Sequence, residues 1–234
     1  MTFDDLAKLY DEKKSKFGDE AFKHISEVLS EAKEIHKKDF TGDDHEQSWR
    51  AFKGKNLEKL IEYIIADGIR NIGLDVINGN KLKRTMGKNL PKILGKVKRN
   101  LLIDYGEFGC HLPDVDIVVF NPKTADVIAV LLIKVTLREC IAQTGYWKLK
   151  LAEDGNTRHI KVFFVTPDED GTLTVKNPAK KGRAIVERDL DGGYVLTEAQ
   201  IETSKKVKLF DKLIADLQDI FQKQIAESKV QKMQ

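Results

Sequence analysis

The chain has 234 residues, 41% of them hydrophobic, and a formal net charge of +3. That is enough apolar material for one large folded domain, or a main domain with a small appendage; no stretch approaches the roughly 18 uninterrupted apolar residues of a membrane span, and so small a charge says nothing about partners. Two cysteines, Cys110 and Cys140, without CxxC spacing or a His-rich context, argue against a zinc framework or a disulfide scaffold.

The start, MTFDDLAKLYDEKK, lacks the basic stretch and apolar run of a signal peptide, so the expected location is the cytoplasm. Leu6, Leu9, Phe17, Phe22, Ile25, Leu29, Ala32 and Ile35 stand near helical spacing among charged residues, which predicts two amphipathic helices over residues 2 to 38. FTGDDHEQSW, Phe40 to Trp49, reads as a connection. The chain is therefore divided into an N-terminal helical region, residues 1–45, and a main domain, residues 46–234.

GKNLEKLIEYIIADGIRN follows, with Leu57, Leu60, Ile61, Ile64 and Ile65 on one broad face, Glu58 and Glu62 one turn apart, and Gly68 near the end; a helix is predicted. From Lys81 to Arg99 the run KLKRTMGKNLPKILGKVKR holds eight basic residues and no acidic one. Lysine and arginine grouped without acids make a phosphate-contacting surface, for which Lys81, Lys83, Arg84 and Lys88 are the candidates, although a solvated loop with a short helix has the same composition.

Strands are predicted at 99–105, 116–120 and 127–135, the last two joined by a turn at NPKTAD. The apolar run 117–120 and the run 127–133 are rich enough in β-branched residues for strands buried on both faces. A helix at about 137–151 and an apolar strand at 160–166 come next. After the turn PDEDGT, strands are expected near 171–175, 183–187 and 193–196, and the stretch 205–227 predicts a closing helix. The fold class is α/β: a mixed central sheet flanked by helices, with the helical region in front.

Charge at the ends of such strands demands a purpose, since ionised groups are costly in an apolar sheet. Asp114 and Asp116 are two apart on an extended segment and share a face, while Lys134 ends the neighbouring hairpin strand. If the helix bearing Glu58 covers that end, three carboxylates and a lysine converge, a set suited to a hard divalent cation such as Mg²⁺ and a water to be activated.

In this order the residues resemble the PD-(D/E)XK nuclease superfamily. Gly54-Lys55-Asn56-Leu57-Glu58 is similar to its GxxxE helix, Pro113-Asp114 with Asp116 to its second motif and Lys134 to its lysine, while Lys134-Val135-Thr136-Leu137-Arg138-Glu139 resembles the KxxxRER signature of type II restriction endonucleases cutting CC-GG-type sites. The likeness spans about residues 50 to 215. It departs from the pattern at Leu132, where the acid of (D/E)XK stands, at Trp147, thirteen residues past the lysine, where a substitute glutamate stands in one group, and at Cys140, in place of the second arginine. Either Glu58 with Asp114 and Asp116 suffices, or Glu139 or Gln143 reaches into the site, or the nuclease is weak or inactivated.

The resemblance implies Mg²⁺-dependent hydrolysis of duplex DNA at a short palindrome. Glu58, Asp114, Asp116 and Lys134 are its catalytic candidates, and Asp116, Asp114 and Glu58 its metal ligands. It also implies base contacts by Arg138 to guanine and by Glu139 to cytosine, and a homodimer whose interface uses the N-terminal helices. A decayed nuclease that only binds DNA, and a junction or repair nuclease, are the alternatives. Scattered histidines without HxxxH or HxH spacing and the lack of a Walker or GxGxxG loop leave zinc, ATP and dinucleotide chemistry without support.

Overall fold

The computed structural model of the protein describes residues 1–85, 90–136 and 141–231, with side chains to residue 227. Thr2 starts the first helix, α1 (Phe3–Phe17): its hydroxyl accepts from the Asp5 N–H at 3.4 Å, and the Asp5 carboxylate accepts from the Thr2 N–H at 2.7 Å. Such a reciprocal box satisfies two of the donors that a helix start leaves open. Next come α2 (Ile25–Asp39) and α3 (His45–Asn71). Asp44 accepts from the Gln47 N–H at 2.9 Å and so starts α3 inside the expected connection, which is left only a few residues long.

After α3 the chain forms β1 (Asp75–Asn78), α4 (Gly79–Arg84), α5 (Lys92–Asn100), and a small ribbon of β2 (Ile103–Asp104) and β3 (Cys110–His111). It continues through β4 (Ile117–Phe120), β5 (Val127–Ile133), α6 (Ile141–Glu153), β6 (Lys161–Thr166), α7 (Lys181–Asp189), β7 (Gly192–Val195), β8 (Val207–Leu209) and α8 (Leu213–Gln231). The main sheet has six strands in the order β1-β4-β5-β6-β7-β8. Pairing is antiparallel from β1 to β5 and parallel from β5 to β8, so the sheet is mixed, as the sequence led one to expect.

Alternation along the strands sorts two cores. Ile117, Val119, Leu131, Ile133 and Phe163 face a layer that includes α1, α2, α3 and α8. Val118, Phe120, Val130, Leu132 and Phe164 face the layer of α4 to α7. Leu6, Ile25, Val28 and Ala32 are fully buried in the first of these, beside Leu57, Leu60 and Ile61. The apolar faces of the N-terminal helices are thus filled by the chain's own core, which removes the ground for assigning them to a dimer interface.

Several elements differ from expectation. Residues 99–105 are not a sheet strand: Ile93, Leu94 and Val97 have helical spacing and make α5, and Ile103 pairs only with the ribbon. The segment 183–187 is helical, with buried Arg183 and Val186 three apart on one face of α7, and 171–175 forms no strand. At 205–227 the helix begins only at Leu213, because Val207 to Leu209 pair with β7 first. Neither β1 nor α4 was anticipated.

Candidate active site

The site is built at one end of β4 and β5. Asp116 precedes β4, but its backbone already belongs to the sheet: its N–H donates to Leu131 O at 3.1 Å, and its carbonyl accepts from the Gly79 N–H at 2.8 Å. Its side chain, in a residue only 8% exposed, accepts from the Ile133 N–H at 2.6 Å. Lys134, one residue past β5, is fixed by its N–H on Val165 O at 3.1 Å. Its ammonium donates to both Asp116 oxygens, at 2.9 and 3.2 Å. That charge-assisted pair fixes the amine over the carboxylate.

Glu58 enters from α3, its Oε1 3.9 Å from Lys134 Nζ. Burial first, and then the adjacent negative charge of Asp116, push its carboxyl up from 4.5 to about 7, against the opposing pull of Lys134. Two carboxylates crowded this closely in a half-dry pocket hold surplus negative charge, which one lysine only partly offsets. Hard oxygen donors in such surroundings fit a divalent cation such as Mg²⁺.

Asp114 stands apart from the trio. Its side chain is exposed, 3.8 Å from Lys83 Nζ, and it accepts from Gln143 Nε2 at 3.5 Å. The structure therefore brings Glu58, Asp116 and Lys134 together and leaves Asp114 at the rim, with Gln143 of α6 reaching it. Leu132 is buried among the α6-side residues and Trp147 packs against the same cluster, so neither departure from the pattern places an oxygen at the trio.

Glu58 lines two openings. The larger, about 600 Å³, is walled by Lys55, Glu58, Lys59, Asn78, Asn80, Lys81, Arg84 and Thr85. The smaller, about 210 Å³, runs past Arg50, Lys53, Gly54, Lys134 and Thr136. Lys81 and Arg84 from the basic run thus reach the cleft, and Lys83 turns toward Asp114. Lys55, Lys59, Asn78 and Asn80 were not singled out from sequence; the signal was available in the four-residue spacing of Lys55 and Lys59, which puts them on one helix face astride Glu58. Glu62 plays another part: burial raises its carboxyl, against the opposing pull of the nearby Asn78 backbone N–H at the end of β1. Lys88, Arg138 and Glu139 lie outside the described residues.

Residues 93–216 match the family model of the BsaWI restriction endonuclease type 2. Over 218 residues the chain is 37% identical to MjaVIP of Methanocaldococcus jannaschii, described as a type II restriction enzyme, covering 86% of this chain and 94% of that one. It is 35% identical over 127 residues to HpyAORF263P of Helicobacter pylori, also described as a type II restriction enzyme, covering 54% of this chain and 64% of the other. Among solved structures, the restriction endonuclease AgeI in its DNA complex shares the fold, with a TM-score of 0.57 at 13% identity over 91% of each chain.

Proposed function

The chain belongs to the type II restriction endonucleases, in the BsaWI family, and from that premise we propose that it cuts duplex DNA at a short palindromic site with Mg²⁺, using Glu58, Asp116 and Lys134 as its catalytic groups. The observation that carries this reading is the meeting of an acid from α3, an acid at the head of β4 and an amine at the foot of β5 beside a basic cleft. Restriction endonucleases typically depend on a metal ion, and the oxygen donors here suit a hard one.

Glu58 and Asp116 would hold the cation, with Asp114 at the mouth as a further carboxylate. When bound, a divalent ion neutralises charge on a phosphate oxygen and makes water a better nucleophile at neutral pH. Lys134, bonded to Asp116, stands ready to orient the attacking water or to neutralise charge developing on the phosphate. Lys55, Lys59, Lys81 and Arg84 attract the DNA backbone, and Lys88 extends that stripe along the chain. Arg138 and Glu139, just ahead of α6, are the candidates for reading base edges. A palindrome has twofold symmetry, so the working species is a homodimer.

Incubation with plasmid DNA and Mg²⁺ tests this. Discrete fragments are expected from the wild type, with cutting lost on chelation and reduced at least about a hundredfold in Lys134→Ala. Salt-sensitive duplex binding with no cutting would overturn the reading in favour of a catalytically inert DNA-binding protein.

A further inference from the structure

Three segments of the chain bring metal-ligating atoms together at a place that uses none of the catalytic candidates. His24 ends the short helical turn Gly18–His24, Glu27 lies in the first turn of α2, and Glu198 follows β7 by three residues. Their ligand atoms meet. His24 Nδ1 is 2.9 Å from Glu27 Oε1 and 3.2 Å from Glu198 Oε1, and all three atoms lie within 4.8 Å of one another.

Hydrogen bonding alone leaves this meeting incomplete. A ring nitrogen carries at most one proton, yet two carboxylate oxygens converge on this one, so whichever takes the N–H leaves the other against a shared or missing proton. An ion between them serves all three atoms. Ligands at roughly 2.0–2.1 Å from a tetrahedral zinc ion stand about 3.3 Å apart, within a few tenths of an ångström of both separations here.

The surroundings hold the donors ready. The His24 ring is buried, at 7% exposed, and stacks on Phe17 with centroids 3.7 Å apart, which fixes the direction of Nδ1. Lys13 binds Glu27 Oε2 at 2.7 Å and Glu31 Oε1 at 2.9 Å, and so leaves Glu27 Oε1 for the ring. Such an outer partner orients a ligating carboxylate. The Glu198 carboxylate pairs with His24 alone among the described residues. Three carboxylates thus stand around one ammonium, and a divalent cation balances the excess.

We propose that His24, Glu27 and Glu198 bind a transition-metal dication of the zinc type, with water in the remaining position. Imidazole with carboxylates suits Zn²⁺ and its first-row neighbours, whereas Mg²⁺ prefers oxygen throughout. This site and the oxygen-only catalytic trio therefore take different ions. Glu198 belongs to the segment between β7 and β8, and His24 and Glu27 to the N-terminal layer, so the ion staples the one to the other.

Calorimetric titration of the metal-free full chain with Zn²⁺ tests the site, in a Glu58→Gln background that takes one carboxylate from the catalytic trio. About one ion per chain is expected to bind. Adding Glu198→Gln or Glu27→Gln, both on half-exposed side chains, is expected to weaken it at least about tenfold with unchanged circular dichroism, which separates ligand loss from unfolding. Zn²⁺ should also raise the melting temperature of the Glu58→Gln chain and leave that of the double variant with Glu198→Gln unchanged. Co²⁺ in place of Zn²⁺ should give visible absorption that the double variant lacks. Absence of Zn²⁺ binding, or equal affinity with and without Glu198→Gln, overturns the site and leaves a cluster of ion pairs.

Discussion

Glu58 is expensive to keep ionised. Its carboxyl rises from 4.5 to about 7 on folding, so the folded chain holds that proton more tightly than the unfolded one. Its stabilising effect is complete below about pH 4.5 and is lost as the pH rises through 7. Glu58→Gln should therefore melt higher than the wild type at pH 8 in chelator, by roughly 1–3 kcal/mol, and match it at pH 4. It should also stop cutting DNA. Equal melting of the two proteins at pH 8 would show that the carboxylate is not strained. Residues of this kind were legible beforehand because their order along the chain is distinctive: an acid on a helix, an acid before a strand, an amine after the next. Between Asp114 and Asp116 the sequence favoured Asp116 only because it leads directly into the apolar strand, since two positions two apart on an extended segment share a face. Ladder bonds made the distinction, holding Asp116 at Leu131, Gly79 and Ile133 and leaving Asp114 in water.

Among the elements, the turn from β1 into α4 sets how closely the basic cleft approaches the trio. A Cβ at Gly79 would lie 1.9 Å from Val115 O, and backbone cannot yield as a side chain does. Gly79→Ala should cost about 1–3 kcal/mol in urea unfolding and lower cleavage more than its loss of stability explains, since the displaced segment carries Asp114 and Asp116. Unchanged cleavage would mean that β1 and β4 separate without consequence for the site. The apolar strands β4, β5 and β6 were readable because continuous apolar, β-branched-rich runs leave little choice. Four-residue β1 has no period to read. RAIVE at 183–187 fits a buried strand and one face of a short helix equally, and only packing settles such runs. In α5, the short helix was one of the two readings that the basic composition of the run allowed, and its end falls where a strand was expected.

For the molecule as a whole, the N-terminal helices belong to the same core as α3, the helix that carries Glu58. Ile25 is fully buried with Leu57 and Ile61, so Ile25→Ala should lower global stability by about 2–5 kcal/mol, and a chain lacking residues 1–39 should fail to give a cooperative melt. A truncated chain that melts sharply and still cuts DNA would mark those helices as an appendage. The same core supports α3 and the inner face of β5, so α1 and α2 are expected to matter for folding although none of the candidate site residues comes from them.

The spatial order of the six strands, β1-β4-β5-β6-β7-β8, is also their order along the chain. During synthesis each new strand can dock onto the free edge left by its predecessor, so no later segment has to pry apart two that are already paired. A nascent chain can assemble vectorially at the ribosome, without the trapped intermediates that threading a late strand into a finished sheet creates.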